Sequence, residues 1–213
     1  HGLSYAHIAA SLRERQGARA GGRAIVAHLG SGASLCAMKA GQSVATTMGF
    51  STLDGLVMST RSGAIDPGVL LHLMQERKLS SSELTDLLYE QSGLLGVSGI
   101  SGDMQVLLAS KEASAARAID LFIYRIGREI GSLVAALGGL DTLVFTAGIG
   151  EHAPEIRRRI CEAAGWLGVA LDEGSNLAGE ELVSGRNSAV EVLVMPADEE
   201  RTVARELLGL EPV

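Results

Sequence analysis

Residues 24–41 constrain the fold of this chain more than any other stretch. Residues 24–27 form a short apolar run suited to a buried strand. His28-Leu29-Gly30-Ser31-Gly32 follows as a tight turn, and residues 33–38 resume an apolar run that closes at Lys39-Ala40-Gly41. The pattern is a β-hairpin. Its turn has two readings: glycines that only satisfy hairpin geometry, or a backbone whose N–H groups lie bare enough to approach an anion.

The rest of the chain supports a folded α/β protein. Hydrophobic residues make up 46% and charged residues 20% of 213 positions, which is globular composition. Glycine, at 27 residues, is about twice its usual share, pointing to many tight turns or close approaches to a ligand. The net charge of −7 argues against nucleic acid or an acidic membrane as partner, so an anionic ligand needs a locally cationic or backbone-built site. Cys36 and Cys161 lie far apart in apolar contexts and read as buried free thiols of a reducing cytosol. There is no apolar run of membrane-spanning length.

In chain order, a helix is expected over residues 8–13, then the hairpin, then a third strand over 42–48 rich in β-branched residues. Turn formers dominate until Pro67, which suits the first turn of a helix. Within them, Arg61 lies between hydroxyls and a glycine, as a solvated loop arginine or an anion-binding one. Ser80 to Glu83 reads as a capping box for a helix over 84–90. Residues 92–103 read as a glycine-serine loop, in which Asp103 is either a helix N-cap or a ligand contact. A long core helix spans 113–137 and ends at Gly138-Gly139. The strand 140–146 breaks into Ala147-Gly148-Ile149-Gly150-Glu151-His152, a glycine-rich turn before a helix over 155–164, which is a setting suited to phosphate. A polar stretch over 172–187 connects to a last strand, 190–195. The acidic run Asp198-Glu199-Glu200 then opens a helix over 202–208, as dipole-complementary caps or as metal ligands.

Several of these stretches together resemble the acetate kinase family: His1-Gly2-Leu3-Ser4, H-x-G-x-G-x-[ST] at residues 28–34, T-R-S-G-x-I-D-P at 60–67, F-T-A-G-I-G-E at 145–151, and P-x-D-E-E at 196–200. The resemblance implies a ribonuclease-H-like domain of the actin-like ATPase and sugar kinase superfamily, three-layered with a mixed sheet. It makes His1 a transition-state stabiliser and Arg61 the group that reaches the transferring phosphoryl. It places His28, Leu29, Gly30, Ser31 and Gly32, with Gly148, Ile149, Gly150, Glu151 and His152, at the nucleotide phosphates. Asp103, Met104 and Gln105 fall beside the nucleoside, and Glu199 becomes a ligand of Mg²⁺ or Mn²⁺. Three positions depart from the family: Gln105 and His152 replace a common arginine and asparagine, and Tyr5, to which no role is assigned, replaces a second histidine.

What the resemblance implies is reversible transfer of the ATP γ-phosphoryl group to acetate, giving acetyl phosphate and ADP, by a cytoplasmic homodimer. Residues 1–213 are expected to be the C-terminal, nucleotide-binding domain, with the N-terminal domain absent, so that this chain alone turns over little. Two alternatives stand beside this reading: a propionate- or butyrate-type acyl kinase, and a stand-alone actin-like module that binds nucleotide without catalysis.

Overall fold

A computed structural model describes residues 1–16 and 22–198. Five strands form one mixed sheet in the order β3-β2-β1-β4-β5, with β1 at Arg23–Leu29, β2 at Ala33–Lys39, β3 at Gln42–Thr46, β4 at Thr142–Thr146 and β5 at Glu191–Val194. The first three are antiparallel. The Ala40 N–H donates to the Gly22 carbonyl at the open end of the β1–β2 hairpin, and Cys36 faces Thr46 across β2 and β3. Strand β4 then runs parallel to β1, with Ala24 opposite Thr142 and His28 opposite Thr146, and β5 runs parallel to β4. This is the mixed sheet expected of the ribonuclease-H-like fold. The third strand stops at Thr46, two residues short of the expected end.

Both faces of the central strands are buried, which explains their nearly continuous apolar runs. Helix α1 (Gly2–Gln16) covers one face: Tyr5, Ile8, Ala9 and Leu12 pack with Ala24, Val26, Cys36, Met38, Val144 and Leu193. It begins at Gly2 rather than residue 8, because the Tyr5 N–H already donates to the His1 carbonyl in its first turn. Where the two central strands begin, the Arg23 guanidinium pairs with Asp141 and donates to the Gly138 carbonyl, aligning the starts of β1 and β4. The paired Arg23 holds the Asp141 carboxyl below its usual range. Both cysteines are buried and free, and burial raises both thiols, that of Cys161 to about 12.

The chain divides into two compact units. The first comprises the described residues of His1–Leu29, Ser34–Thr46 and Gly127–Val213, and the second comprises Gly30–Ala33 and Thr47–Ile126. The second unit is thus the segment inserted after β3, joined by the glycine turn. It holds α2 (Pro67–Gln75), α3 (Ser81–Glu90), α4 (Gly93–Ser98), α5 (Met104–Ala109) and the first half of α6 (Ala113–Leu137). Asp66 caps α2 behind Pro67, and Ser80 and Glu83 form the full capping box of α3. The stretch 92–103, expected as a loop, contains α4. The N–H groups of Leu94 and Leu95 are satisfied by the carbonyls of Met58 and Ser59, so tertiary contact supplies the cap that the N-cap Ser92 does not, its hydroxyl donating to the Leu87 carbonyl instead.

In the first unit, α7 (Ala147–His152), α8 (Pro154–Ala163) and α9 (Glu173–Ala178) precede β5. The stretch 172–187 is therefore partly helical, with Asp172 capping α9. The expected terminal helix, 202–208, lies outside the described residues.

Candidate phosphoryl-transfer site

Each unit carries its own part of the predicted site. In the first, His1 and His28 come together with ring centroids 4.2 Å apart. Their spacing follows from the fold: α1 starts at the end of the sheet where β1 finishes, and residue 28 faces the helix. His1 Nδ1 lies 2.7 Å from the Ser34 hydroxyl, and His28 Nδ1 lies 3.0 Å from that of Ser4. The Tyr5 hydroxyl makes a short hydrogen bond to the same Ser34 oxygen. Ser4 and Ser34 are both fully buried. Burial pushes His28 down to about 4, so its imidazole is neutral at pH 7. Burial likewise raises the Tyr5 phenol, which stays protonated.

Tyr5 is the residue that sequence reasoning passed over. It holds Ser34, and Ser34 holds His1. Only the helical rise, which puts residue 5 one turn after residue 1, hinted at this.

Strand β4 leads directly into the glycine-rich segment, which is a six-residue helix, α7, rather than the open turn expected. Ala147 at its start has φ of 65°, in the left-handed region that a non-glycine residue enters only under constraint. Gly148 is exposed, and a Cβ there would meet nothing within 4 Å, whereas one at Gly150 would lie 3.4 Å from the Phe145 carbonyl carbon. Gly150 therefore serves packing, and Gly148 leaves the outer side of the helix bare. The Glu151 carboxylate turns away from that side and accepts from the Ala197 N–H at 2.9 Å, bracing the segment that follows β5. His152 is exposed at the helix end.

Arg157 was also missed. It reads as one of three consecutive arginines on an amphipathic helix, yet its side chain is 1% exposed and donates to the carbonyls of Gly150 and Glu151. Burial lowers its pKa from the ordinary value, but an arginine remains charged.

In the second unit, the glycine turn and the Arg61 loop are joined. The Ser59 N–H donates to the Ser31 carbonyl at 3.0 Å, and the Met58 N–H donates to the Arg61 carbonyl at 3.2 Å. The Thr60 hydroxyl donates to the Tyr89 carbonyl, and that of Ser59 to the Gly102 carbonyl, each at 2.7 Å. The backbone of this loop is thus fixed at nearly every residue. The Arg61 guanidinium, by contrast, forms no ion pair among the described residues, where its hydrogen-bond partner is the Met58 sulfur, at 4.0 Å. Asp103 caps α5, its Oδ1 accepting from the Gln105 N–H at 2.8 Å, so the N-cap reading is realised in the geometry. Met104 and Leu29 are buried. Gln105 and Ser31 are exposed.

Among the described residues no cluster of three acidic, histidine or cysteine side chains could hold a metal ion, and Glu199 lies outside them. No described helix is long and apolar enough to cross a membrane.

The geometry has close counterparts. The sequence profile of the Acetokinase family matches residues 1–205. An acetate kinase of Rhodopseudomonas palustris (strain TIE-1) is 58% identical over 213 residues, which are 99% of this chain and 54% of that protein. The crystal structure of Porphyromonas gingivalis acetate kinase superposes with a TM-score of 0.92 at 35% identity, covering 99% of this chain and 54% of the other. A propionate kinase from Francisella tularensis superposes with a TM-score of 0.91 at 36% identity, covering 97% and 54%. The chain spans about half the length of the relatives it matches. By its profile match and by this identity, the chain belongs to the acetokinase family.

Proposed function

We propose that the protein carrying this sequence is an acetate kinase, transferring the γ-phosphoryl group of ATP reversibly to acetate, and that residues 1–213 are its nucleotide-binding part. One observation carries the reading: Arg61 projects a guanidinium that forms no ion pair among the described residues, from a loop whose backbone is pinned from several sides. A carboxylate is a weak nucleophile, so catalysis must come from positioning and charge neutralisation at the phosphoryl oxygens. A planar guanidinium matches two such oxygens at once. Ser34 and Tyr5 hold His1 by Nδ1, which orients Nε2 to donate toward a phosphoryl oxygen, and the neutral His28 ring backs it. Residues 28–32 and the bare side of α7 supply backbone N–H groups to the phosphates. Asp103, Met104 and Gln105 line the nucleoside.

Mg²⁺ or Mn²⁺ would shield the phosphate charge when bound. A single carboxylate suffices beside phosphate oxygens and water, which fits Glu199, two residues after Ala197 in the sequence. A cytoplasmic homodimer is the assembly the family resemblance implies. The second acyl substrate to consider is propionate, since the propionate kinase structure is as similar as the acetate kinase one.

The test is a phosphoryl-transfer assay on the complete protein with acetate, propionate and butyrate. Acetate is expected to give the highest kcat/KM, and Arg61→Gln to lower kcat by about 10³-fold or more, the scale of an arginine at a transferring phosphoryl. Turnover of propionate above acetate would move the reading to the second substrate. Nucleotide binding without transfer to any of the three would leave a binding module.

A further inference from the structure

The two neighbouring arginines of α8 have opposite fates. Arg158 is solvent-facing and pairs with Glu155 and Glu162 on its own helix. Arg157 is enclosed, and its guanidinium makes four hydrogen bonds, each to a neutral carbonyl oxygen. Nη1 donates to Gly150 at 2.9 Å and Glu151 at 2.7 Å, Nη2 to the Asn176 backbone at 2.7 Å, and Nε to Asn176 Oδ1 at 2.8 Å. Asn176 is itself buried, and its amide donates to the Pro154 carbonyl at 3.0 Å, which closes the clamp on the start of α8.

Burying a guanidinium without a carboxylate is costly, and an apolar side chain of similar volume would fill the space more cheaply. What the arginine supplies instead is its fork. Two donors meet the terminal carbonyls of α7 while the others grip α9, an arrangement the point charge of lysine does not reproduce. Helix α7 needs this support. It has six residues, two of them glycine, no side-chain N-cap and a strained Ala147 at its start, and so short a helix does not hold itself.

We propose that Arg157 is a positioning residue for the nucleotide phosphates. It locks residues 147–152 in the shape that presents the bare Gly148 side, and through Glu151, whose carboxylate holds the Ala197 N–H, it also sets the segment after β5. The inference rests on the nucleotide-binding reading above.

The test compares Arg157→Lys, Asn176→Ala and the control Arg158→Lys in the complete protein. It measures ADP affinity by titration calorimetry, KM for ATP and for acetate, and amide hydrogen exchange at residues 148–152. Arg157→Lys is expected to weaken ADP binding and raise KM for ATP about tenfold or more, with KM for acetate within twofold and faster exchange at 148–152. Asn176→Ala should give a smaller shift of the same kind, and Arg158→Lys none. Parent-like ADP affinity in a folded Arg157→Lys overturns the inference alone, as does an equal loss in every parameter. Failure of both variants to fold also overturns it, in favour of a purely structural role. If the parent protein binds no ADP, the proposed function fails and takes this inference with it.

Discussion

Two glycine-rich stretches, residues 92–102 and 147–152, look alike as sequence and use their glycines in opposite ways. In the first, Gly93 and Gly102 are closed in by their neighbours. Gly93 has φ of 61°, and a Cβ there would lie 2.3 Å from the Met58 carbonyl oxygen; one at Gly102 would lie 2.4 Å from the Ser59 hydroxyl. These absences of side chain let α4 and the chain after it close on the Arg61 loop. In the second, Gly150 presses on β4, but Gly148 faces open space. In a helix, where glycine costs up to about 1 kcal/mol relative to alanine, the proposed function accounts for Gly148 by a phosphate that approaches from outside. Counting glycines therefore says little; what a Cβ would strike is what distinguishes Gly93 and Gly102 from Gly148.

Gly93→Ala should have the largest effect on stability. It combines a left-handed backbone with a clash against backbone atoms, and should cost about 3 kcal/mol or more, read as a lower denaturation midpoint with loss of phosphoryl transfer. A variant as stable as the parent would show that the Arg61 loop is not moulded by residue 93. Gly148→Ala should do the reverse, holding or raising stability by up to about 1 kcal/mol while weakening ADP binding severalfold in calorimetry. Unchanged affinity there would erase the contrast between the two stretches.

Tyr5→Phe sharpens the picture on the other side of the first unit. Removing the hydroxyl leaves Ser34 with His1 alone, at a cost of about 1 kcal/mol, and should lower kcat with little change in KM for ATP. A fall in KM alone would deny Tyr5 its part in orienting His1.

A further effect concerns pH. His28 is pushed from 6.5 down to about 4 by burial, so the unfolded chain takes up its proton first. Its contribution to stability is full above about pH 6.5 and is lost as the pH falls toward about 4. Thermal melts of the parent and His28→Gln at pH 7 and pH 5 should show a steeper loss of Tm in the parent; parallel losses would mean the ring is not held neutral.

Much of this was legible in the chain. The hairpin, the parallel strand entering the glycine segment, the capping box at Ser80 and the helix over 113–137 all follow from periodicity, capping chemistry and turn residues, which act over a few positions. The family resemblance rested on short motifs in order, and the profile match covers the same span. The misses share a cause. α4 and α7 are helices against their own propensities, one capped by carbonyls of Met58 and Ser59 and the other held by Arg157. Tyr5 and Arg157 look ordinary because their partners, Ser34 and Asn176, are distant in sequence.

The sequence by itself determined the strand order's raw material, the continuous apolar runs of the central strands, the residue types able to meet a phosphoryl group and the family. Those depend on local periodicity and on side-chain chemistry, which each residue carries with it. Only the tertiary structure decided which arginine is enclosed and which is solvated, which glycine faces a neighbour and which faces open space, and that His1 leans on Ser34 and Tyr5. Those outcomes depend on desolvation and on atoms brought together by the fold, and neither is a property of a residue or its neighbours in the chain.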